Sequence, residues 1–174
     1  MHLSRQSREP AKENTTVTTD PWSSAGFSRQ PSTRLAPELT VTSLAGRTRN
    51  LASFRGKVLL LHFWGTNCVH CLQSLPTLTE LVAQLDPGRF AVLNVCINTD
   101  DVKQIQKLTS RFGKQLTFYV DEEALARFRY DASLLPTVWI VGRNGHLLAR
   151  STTAPRWSDP KMIELLDHVT SQQL

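Results

Sequence analysis

The chain has 174 residues, 40% of them hydrophobic, so it is long enough for one domain with a substantial core and too short for two ordinary domains. Its formal charge of +5 arises from 20 basic and 15 acidic side chains, scattered along the chain without interleaved aromatic residues, so nucleic acid is not an expected partner. Three cysteines are too few for the disulfide framework of a small secreted protein.

Residues 1–35 are predicted to form a disordered polar tail, followed by a single domain over residues 36–174. The first segment is rich in Ser, Thr, Arg and Pro and follows neither the helical nor the strand period, so it is not expected to bury enough apolar surface to offset its ordering entropy. It shows no continuous apolar segment of the signal-peptide type. The sequence as printed is therefore expected to carry no export signal, and no stretch of it approaches the roughly 18 apolar residues of a membrane span.

The first predicted elements of the domain are a β-hairpin and a buried strand. Residues 39–42 alternate between apolar and polar side chains, Ala45-Gly46 provides a turn, and residues 48–51 offer a return strand. Residues 58–64 are almost continuously apolar, which is typical of a parallel strand covered on both faces. This strand is therefore expected at the centre of the sheet.

Helices and strands alternate through the rest of the chain. Apolar residues recur every three or four positions over 72–85, which predicts a helix, and the apolar run 90–97 predicts the next strand. The later predicted elements are a helix at 102–112 capped by Asp100-Asp101, a strand at 116–120, a short helix at 121–130, a hairpin at 137–149 around Asn144-Gly145, and a helix that begins at Asp159-Pro160. This alternation predicts an α/β fold with three layers, α/β/α, in which a central mixed sheet has parallel inner strands and an antiparallel hairpin closing one edge.

The segment from Trp64 to Cys71 joins the central strand to the next helix and carries Cys68 and Cys71, separated by two residues. A disulfide needs Cα atoms about 4.4–6.8 Å apart, which the first turn of a helix provides. Unpaired N–H groups and the dipole at the helix N-terminus stabilise a Cys68 thiolate. The pair is also half of a zinc site, but the chain has no second cysteine pair, so a redox-active dithiol is favoured. The third cysteine, Cys96, lies in an apolar strand and is expected to be a buried structural thiol.

Several motifs occur together around this pair. They are a hairpin followed by Leu51-x-x-Phe54-x-Gly56-Lys57, a strand ending in Phe63-Trp64, the C-x-x-C pair, Leu135-Pro136-Thr137, and residues 142–145 with the strand that follows. The combination resembles the thioredoxin-like superfamily and, within it, the TlpA/ResA-type thiol–disulfide oxidoreductases, which are redoxin domains. The resemblance covers about residues 36–172 and implies a thioredoxin fold with an N-terminal β-hairpin.

The resemblance also implies roles for individual residues. Cys68 corresponds to the thiolate that attacks a partner disulfide, and Cys71 to the thiol that resolves the mixed disulfide. Pro136 is expected in the cis form against the dithiol, the Leu135 backbone is expected to hydrogen-bond the partner's chain, and Trp64 is expected to pack beside the disulfide. The implied partners are protein disulfides or dithiols, the protein is expected to be a monomer, and no cofactor beyond the Cys68–Cys71 disulfide and no metal is expected.

The dipeptide between the cysteines, Val69-His70, departs from the family pattern, which often has a proline there. A histidine directly before the second cysteine resembles the strongly oxidising DsbA type, in which an imidazolium near the attacking sulfur stabilises the thiolate. We therefore expect a reduction potential above that of thioredoxin. The alternative is an exposed His70 that is weakly coupled to the pair.

Other departures concern proton transfer. Ser74 stands where related enzymes frequently carry a glutamate, and His62 stands where they carry Asp or Asn. His62 lies inside an apolar strand, so it is either a core histidine satisfied by a backbone group or a replacement for the missing carboxylate as proton shuttle for Cys71.

Two other functions remain open from the sequence. A peroxide-reducing redoxin shares the fold, but its peroxidatic cysteine lies earlier in its motif and lacks this two-residue pair. A non-enzymatic copper-binding protein of the same fold would use Cys68, Cys71 and a histidine as ligands, although such carriers usually space their cysteines by three residues.

Overall fold

The computed structural model describes residues 20–31, 33–98 and 102–172. The predicted cap at Asp100-Asp101 and residues 1–19 of the predicted tail lie outside the described residues. The strands are β1 (Ser28–Arg29), β2 (Thr40–Ser43), β3 (Thr48–Asn50), β4 (Val58–Trp64), β5 (Phe90–Cys96), β6 (Phe118–Val120), β7 (Thr137–Val141) and β8 (Leu147–Ser151). The helices are α1 (Pro21–Ser24), α2 (Val69–Gln84), α3 (Val102–Thr109), α4 (Ala126–Arg129) and α5 (Pro160–Ser171), with 3-10 turns at Leu51–Phe54 and Ser110–Phe112.

Within the described residues the strands form one mixed sheet in the order β1-β8-β7-β4-β5-β6-β2-β3. β4, β5 and β6 are parallel, and β7 and β8 are antiparallel to their neighbours. The N-terminal hairpin β2–β3 is present as predicted and pairs with β6 at one edge. The other edge differs from the prediction, because β1 pairs outside β8 and the β7–β8 hairpin does not close the sheet.

Strand β4 explains why the fold has three layers. Every residue of β4 is buried, and alternate side chains enter two separate apolar clusters. Val58, Leu60 and Trp64 face a cluster that includes residues of α2, α3 and α5, whereas Leu59, Leu61 and Phe63 face one closed by the 3-10 turn Leu51–Phe54 and by α4. The period of two in a strand produces this division. The predicted α/β/α arrangement is confirmed, with the second helical layer made of short elements.

The predicted tail is wrong for residues 20–31 and 33–35, which the structure places on the domain. Trp22 in α1 and Phe27 are 1% and 2% exposed, and Trp22 meets the ring of His168 in α5 edge to face with centroids 6.4 Å apart. Ser28 pairs with Arg150 of β8. Burying two aromatic side chains contributes about 3 kcal/mol each toward the ordering entropy of this segment, and the pairing of β1 with β8 adds to it, although the segment has no hydrophobic period of its own. The boundary at 35/36 is therefore not the edge of the folded unit.

Candidate active site

The cysteine pair lies where the central strand passes into the longest described helix. β4 ends at Trp64, α2 begins at Val69, and the intervening loop brings Cys68 to the helix N-cap. Cys68 and Cys71 form a disulfide with Cα atoms 5.3 Å apart, within the range that an unstrained bridge requires. The predicted pairing of these two cysteines is therefore present.

The two sulfurs have different surroundings. Cys68 is half-buried, whereas Cys71 is fully buried one turn into α2. The backbone N–H of Cys71 donates to the Cys68 Sγ at 3.2 Å. When the disulfide is reduced, this N–H and the positive end of the α2 dipole favour a thiolate at Cys68. Cys68 is thus the accessible sulfur of the pair, and Cys71 is shielded from solvent.

A second loop completes the surface around the disulfide. The Leu135-Pro136 peptide bond is cis, as predicted, and Pro136 is buried directly before β7, the strand that pairs with β4. A Cβ placed on Gly65 would lie 3.0 Å from the Leu135 Cδ1, so this loop packs against the loop that precedes Cys68. The expected hydrogen bonding of the Leu135 backbone to a partner stays a prediction.

Apolar side chains occur both beneath and beside the disulfide. Trp64 is fully buried in the same cluster as both cysteines, and its ring meets Phe118 edge to face at 5.7 Å. Val69 and Leu134 are 61% and 67% exposed at the start of α2 and next to the cis-proline loop. Trp64 therefore shares the apolar cluster of both cysteines, and its direct packing beside the disulfide stays a prediction. The two exposed side chains form an apolar part of the surface near the cysteine pair.

His62 is fully buried in β4, and its hydrogen bond fixes its tautomer. Its Nδ1 lies 3.1 Å from the Asn94 Oδ1, while the Asn94 Nδ2 donates to the Thr117 carbonyl oxygen at 3.2 Å. Because the amide oxygen faces the ring, Nδ1 carries the proton and Nε2 has the free lone pair. The predicted backbone partner is wrong: a side-chain amide from the neighbouring strand accepts the hydrogen of Nδ1.

The other ring nitrogen of His62 is also buried. Among the described residues, its Nε2 has no hydrogen-bond partner, and the Trp157 ring packs edge to face against the imidazole at 5.7 Å. Burial lowers the pKa of His62 to about 4, because a charged imidazolium would lose its hydration there. The ring is consequently neutral near pH 7 and resists protonation.

His70 and Ser74 lie on the first two turns of α2. His70 is exposed and lines a groove that α2 forms with residues 154–160, whereas Ser74 is buried and donates from its Oγ to the Cys71 carbonyl oxygen at 2.9 Å. Ser74 therefore supports the helix turn that carries Cys71. The proposed influence of His70 on the Cys68 thiolate stays a prediction.

One residue near the pair was missed from the sequence. Asn98 follows β5 and hydrogen-bonds through its side chain to Thr66, in the loop before Cys68. Cys96 is buried as predicted, and its thiol also contacts the Asn98 side chain. The carboxyl ends of neighbouring parallel strands lie at the same edge of a sheet. A residue directly after β5, such as Asn98, could therefore have been predicted to lie near the end of β4.

Over the described residues, His, Cys, Asp and Glu side chains do not come together in groups of three or more that could hold a metal ion. Among the described helices, none combines the length and apolar character needed to cross a bilayer.

A parallel strand that leads into a helix-borne disulfide, with a cis-proline loop beside it, defines a thioredoxin-like protein with a redox-active cysteine pair. The chain belongs to the AhpC/TSA family, whose family model matches residues 33–150. The predicted resemblance to TlpA/ResA-type proteins is confirmed by the relatives that the chain matches.

Two relatives illustrate this similarity. The thiol-disulfide oxidoreductase ResA of Geobacillus kaustophilus is 29% identical over 112 residues, which cover 64% of each chain. The thioredoxin-like protein YneN of Bacillus subtilis is 24% identical over 111 residues, covering 63% of this chain and 65% of that protein. The matches therefore span slightly less than two thirds of these relatives' own lengths.

Solved structures show the same fold. A DsbF homologue from Corynebacterium diphtheriae superimposes with a TM-score of 0.68 at 18% identity, covering 95% of this chain and 99% of that chain. The thioredoxin domain of a thiol-disulfide oxidoreductase from Bacteroides vulgatus gives a TM-score of 0.68 at 17% identity, covering 79% and 99%. The predicted thioredoxin fold is confirmed.

Proposed function

We propose that this protein is a thiol–disulfide oxidoreductase that exchanges its Cys68–Cys71 dithiol or disulfide with cysteine pairs of other proteins. The observation that carries the proposal is the asymmetry of the pair. Cys68 is half-buried and receives the Cys71 N–H, whereas Cys71 is fully buried. The Cys68 sulfur is thus accessible to a partner protein, and the Cys71 sulfur is placed to re-form the disulfide from the protein interior.

The exchange proceeds in two balanced steps. The Cys68 thiolate attacks a partner disulfide, forming a mixed disulfide and releasing one partner sulfur as a thiolate that takes up a proton. Cys71 then loses its proton and attacks the Cys68 Sγ, which restores the Cys68–Cys71 disulfide and releases the second partner thiol. Two electrons pass to the partner, and the reverse sequence oxidises a partner dithiol.

The proton shuttle considered for His62 is not part of this proposal. Burial disfavours a thiolate at Cys71, so the second step needs a proton acceptor. Burial also lowers the pKa of His62 to about 4, so its imidazole is a much weaker base than a thiolate and resists taking the proton near pH 7. We propose instead that the partner thiolate released in the first step, or water at the site, takes up the Cys71 proton.

The proposed partners are proteins. The relatives named as thiol-disulfide oxidoreductases support this class of reaction, and the exposed Val69 and Leu134 supply apolar contact for a polypeptide near the disulfide. The reaction as proposed uses the cysteine pair itself and no additional cofactor. We further propose that the protein acts as a monomer, which sedimentation equilibrium will test.

A trapping experiment tests the function directly. The Cys71→Ala variant, when reduced, is expected to accumulate a mixed disulfide between Cys68 and a peptide disulfide, whereas the matched Cys68→Ala variant is expected to accumulate none. Mass spectrometry of the isolated adduct identifies the cysteine used. Trapping on Cys71 or Cys96 would contradict the assigned roles.

Turnover of the wild-type protein separates the alternatives. With dithiothreitol as donor, we expect reduction of the peptide disulfide to be much faster than consumption of hydrogen peroxide. Preferential peroxide reduction would instead identify the peroxide-reducing redoxin. Tight binding of Cu(I) without any disulfide exchange would identify a copper carrier.

A further inference from the structure

The side chain of Asn98 is hydrogen-bonded to the loop that precedes Cys68. Its Oδ1 accepts a hydrogen bond from the Thr66 backbone N–H at 2.9 Å, and its Nδ2 donates to the Thr66 Oγ1 at 2.7 Å. The Gly65 carbonyl oxygen accepts from the Cys68 N–H at 3.1 Å, so Thr66 lies inside the turn that ends at the nucleophile. One amide therefore holds both the backbone and the side chain of Thr66, the first of the turn's two central residues.

The orientation of this amide is determined by its neighbours. The atom facing the Thr66 N–H has to be the oxygen, since an NH₂ group could not accept that hydrogen. The Cys96 Sγ lies 3.3 Å from the same oxygen and 3.4 Å from the Asn98 carbonyl oxygen, so its single S–H donates to Asn98 at one of these two atoms. Burial raises the pKa of Cys96 to about 11, so this thiol keeps its hydrogen near pH 7. The third cysteine thereby helps to orient Asn98.

Gly65 leaves the space that the contact needs. A Cβ at this position would lie 2.8 Å from the Asn98 Oδ1 and 3.0 Å from the Leu135 Cδ1. Real Cβ atoms essentially never approach other atoms below 3.0 Å, so a larger residue at 65 would displace the Asn98 side chain and press on the end of the Leu135 side chain. The bare backbone at Gly65 allows Asn98 and the loop around Leu135 to close on the same turn.

We propose that Asn98 is a positioning residue for Cys68, holding the turn so that the Cys68 sulfur stays aligned with the Cys71 N–H. The proposal deepens the function proposed above and rests on it. Releasing the turn weakens the hydrogen bond that favours the thiolate, while leaving Cys68 and Cys71 in place. The reduced protein then loses stabilisation relative to the disulfide form, so the reduction potential falls.

Asn98→Ala tests the proposal, and Asn50→Ala is its matched control. Asn50 makes the same kind of contacts in the hairpin at the other edge of the sheet, accepting from the Ala52 N–H at 2.8 Å and donating to the Thr40 Oγ1 at 3.4 Å. The readouts are the pH dependence of Cys68 alkylation by iodoacetamide and the equilibrium of the pair with glutathione. We expect Asn98→Ala to lower the rate of Cys68 alkylation at a fixed pH by about tenfold. The equilibrium constant with glutathione is expected to change by about tenfold as well, equivalent to about 30 mV in potential, and Asn50→Ala is expected to change neither quantity.

Substitutions of Thr66 separate positioning from simple stability. Thr66→Val removes the Oγ1 and is expected to reproduce part of the Asn98→Ala effect, while Thr66→Ser keeps the oxygen and is expected to behave as wild type. The double variant Asn98→Ala with Thr66→Val is expected to equal Asn98→Ala within error. If Asn98→Ala lowered the urea midpoint but changed neither the alkylation of Cys68 nor the equilibrium with glutathione, the proposal would be wrong.

These readouts need no protein substrate. If the wild-type protein failed to reduce any disulfide peptide, the proposed function would be wrong, while the titration of Cys68 would still decide whether Asn98 positions it.

Discussion

Acid is expected to destabilise this protein through one buried side chain, His62. The ring lies in the central strand, bonded to Asn94 and packed against Trp157, and neither of these neighbours titrates. The folded protein holds the imidazole neutral, whereas the unfolded chain lets it take a proton at its ordinary pKa. Lowering the pH is therefore expected to reduce the unfolding free energy of the wild type more than that of His62→Gln, which has no imidazole to protonate.

The size of the effect follows from the two protonation equilibria. Burial lowers the pKa of His62 from 6.5 to about 4 in the folded protein. Between these values the unfolded chain binds a proton that the folded protein does not, so the unfolding free energy falls as the pH falls. At about 1.4 kcal/mol per pKa unit, the loss attributable to His62 is about 3 kcal/mol between pH 7 and pH 4.

Urea denaturation of the oxidised protein at a series of pH values from 7.5 to 4 measures this difference. Carboxylates titrate in both proteins, so subtracting the His62→Gln curve from the wild-type curve isolates the histidine. The imidazole proton resonances of His62 give an independent measurement, because they are expected to stay unchanged down to about pH 5. Parallel stability curves, or a His62 resonance that titrates near 6.5, would refute the assignment of a buried neutral ring.

Three further outcomes are expected. Leu78→Ala should lower the unfolding free energy, measured by urea denaturation, by about 2–5 kcal/mol, because Leu78 is fully buried. The control Leu134→Ala should change it by less than about 0.5 kcal/mol, because Leu134 is exposed. Equal losses in the two variants would contradict the described core. Trp22→Ala should lower it by about 3–5 kcal/mol, and a negligible loss would mean that the segment around α1 does not pack on the domain in solution. The reduction potential of the wild type should exceed the roughly −270 mV of thioredoxin and fall in His70→Gln, as measured against glutathione; a wild-type value at or below about −270 mV would disprove the oxidising role of His70.

Local patterns accounted for most of the fold. The apolar run of β4, the spacing of apolar residues in α2 and the turn at Asn144-Gly145 each reflect interactions between residues close in sequence. The same holds for Cys68 and Cys71, because three residues of helix set their separation. Such signals can be seen in one sequence since the chain carries both partners within a few positions.

Side chains whose partners are distant in the sequence could not be placed in this way. Trp22 and Phe27 have no neighbouring period, and their burial depends on α5 and β8 more than 100 residues later. His62 was recognised as unusual, but its partner Asn94 lies 32 residues away on the next strand. Asn98 is likewise 32 residues from Thr66.

The sequence by itself determined the class of chemistry, because a cysteine pair on one helical turn after an apolar strand specifies a local geometry. The tertiary structure decided what surrounds that pair: which sulfur is shielded, which loop meets it, and which buried groups lie nearby. The physical reason is that thiolate stability and proton transfer depend on burial and on hydrogen bonds across strands. Those exist only after β4, β5 and β7 have come together.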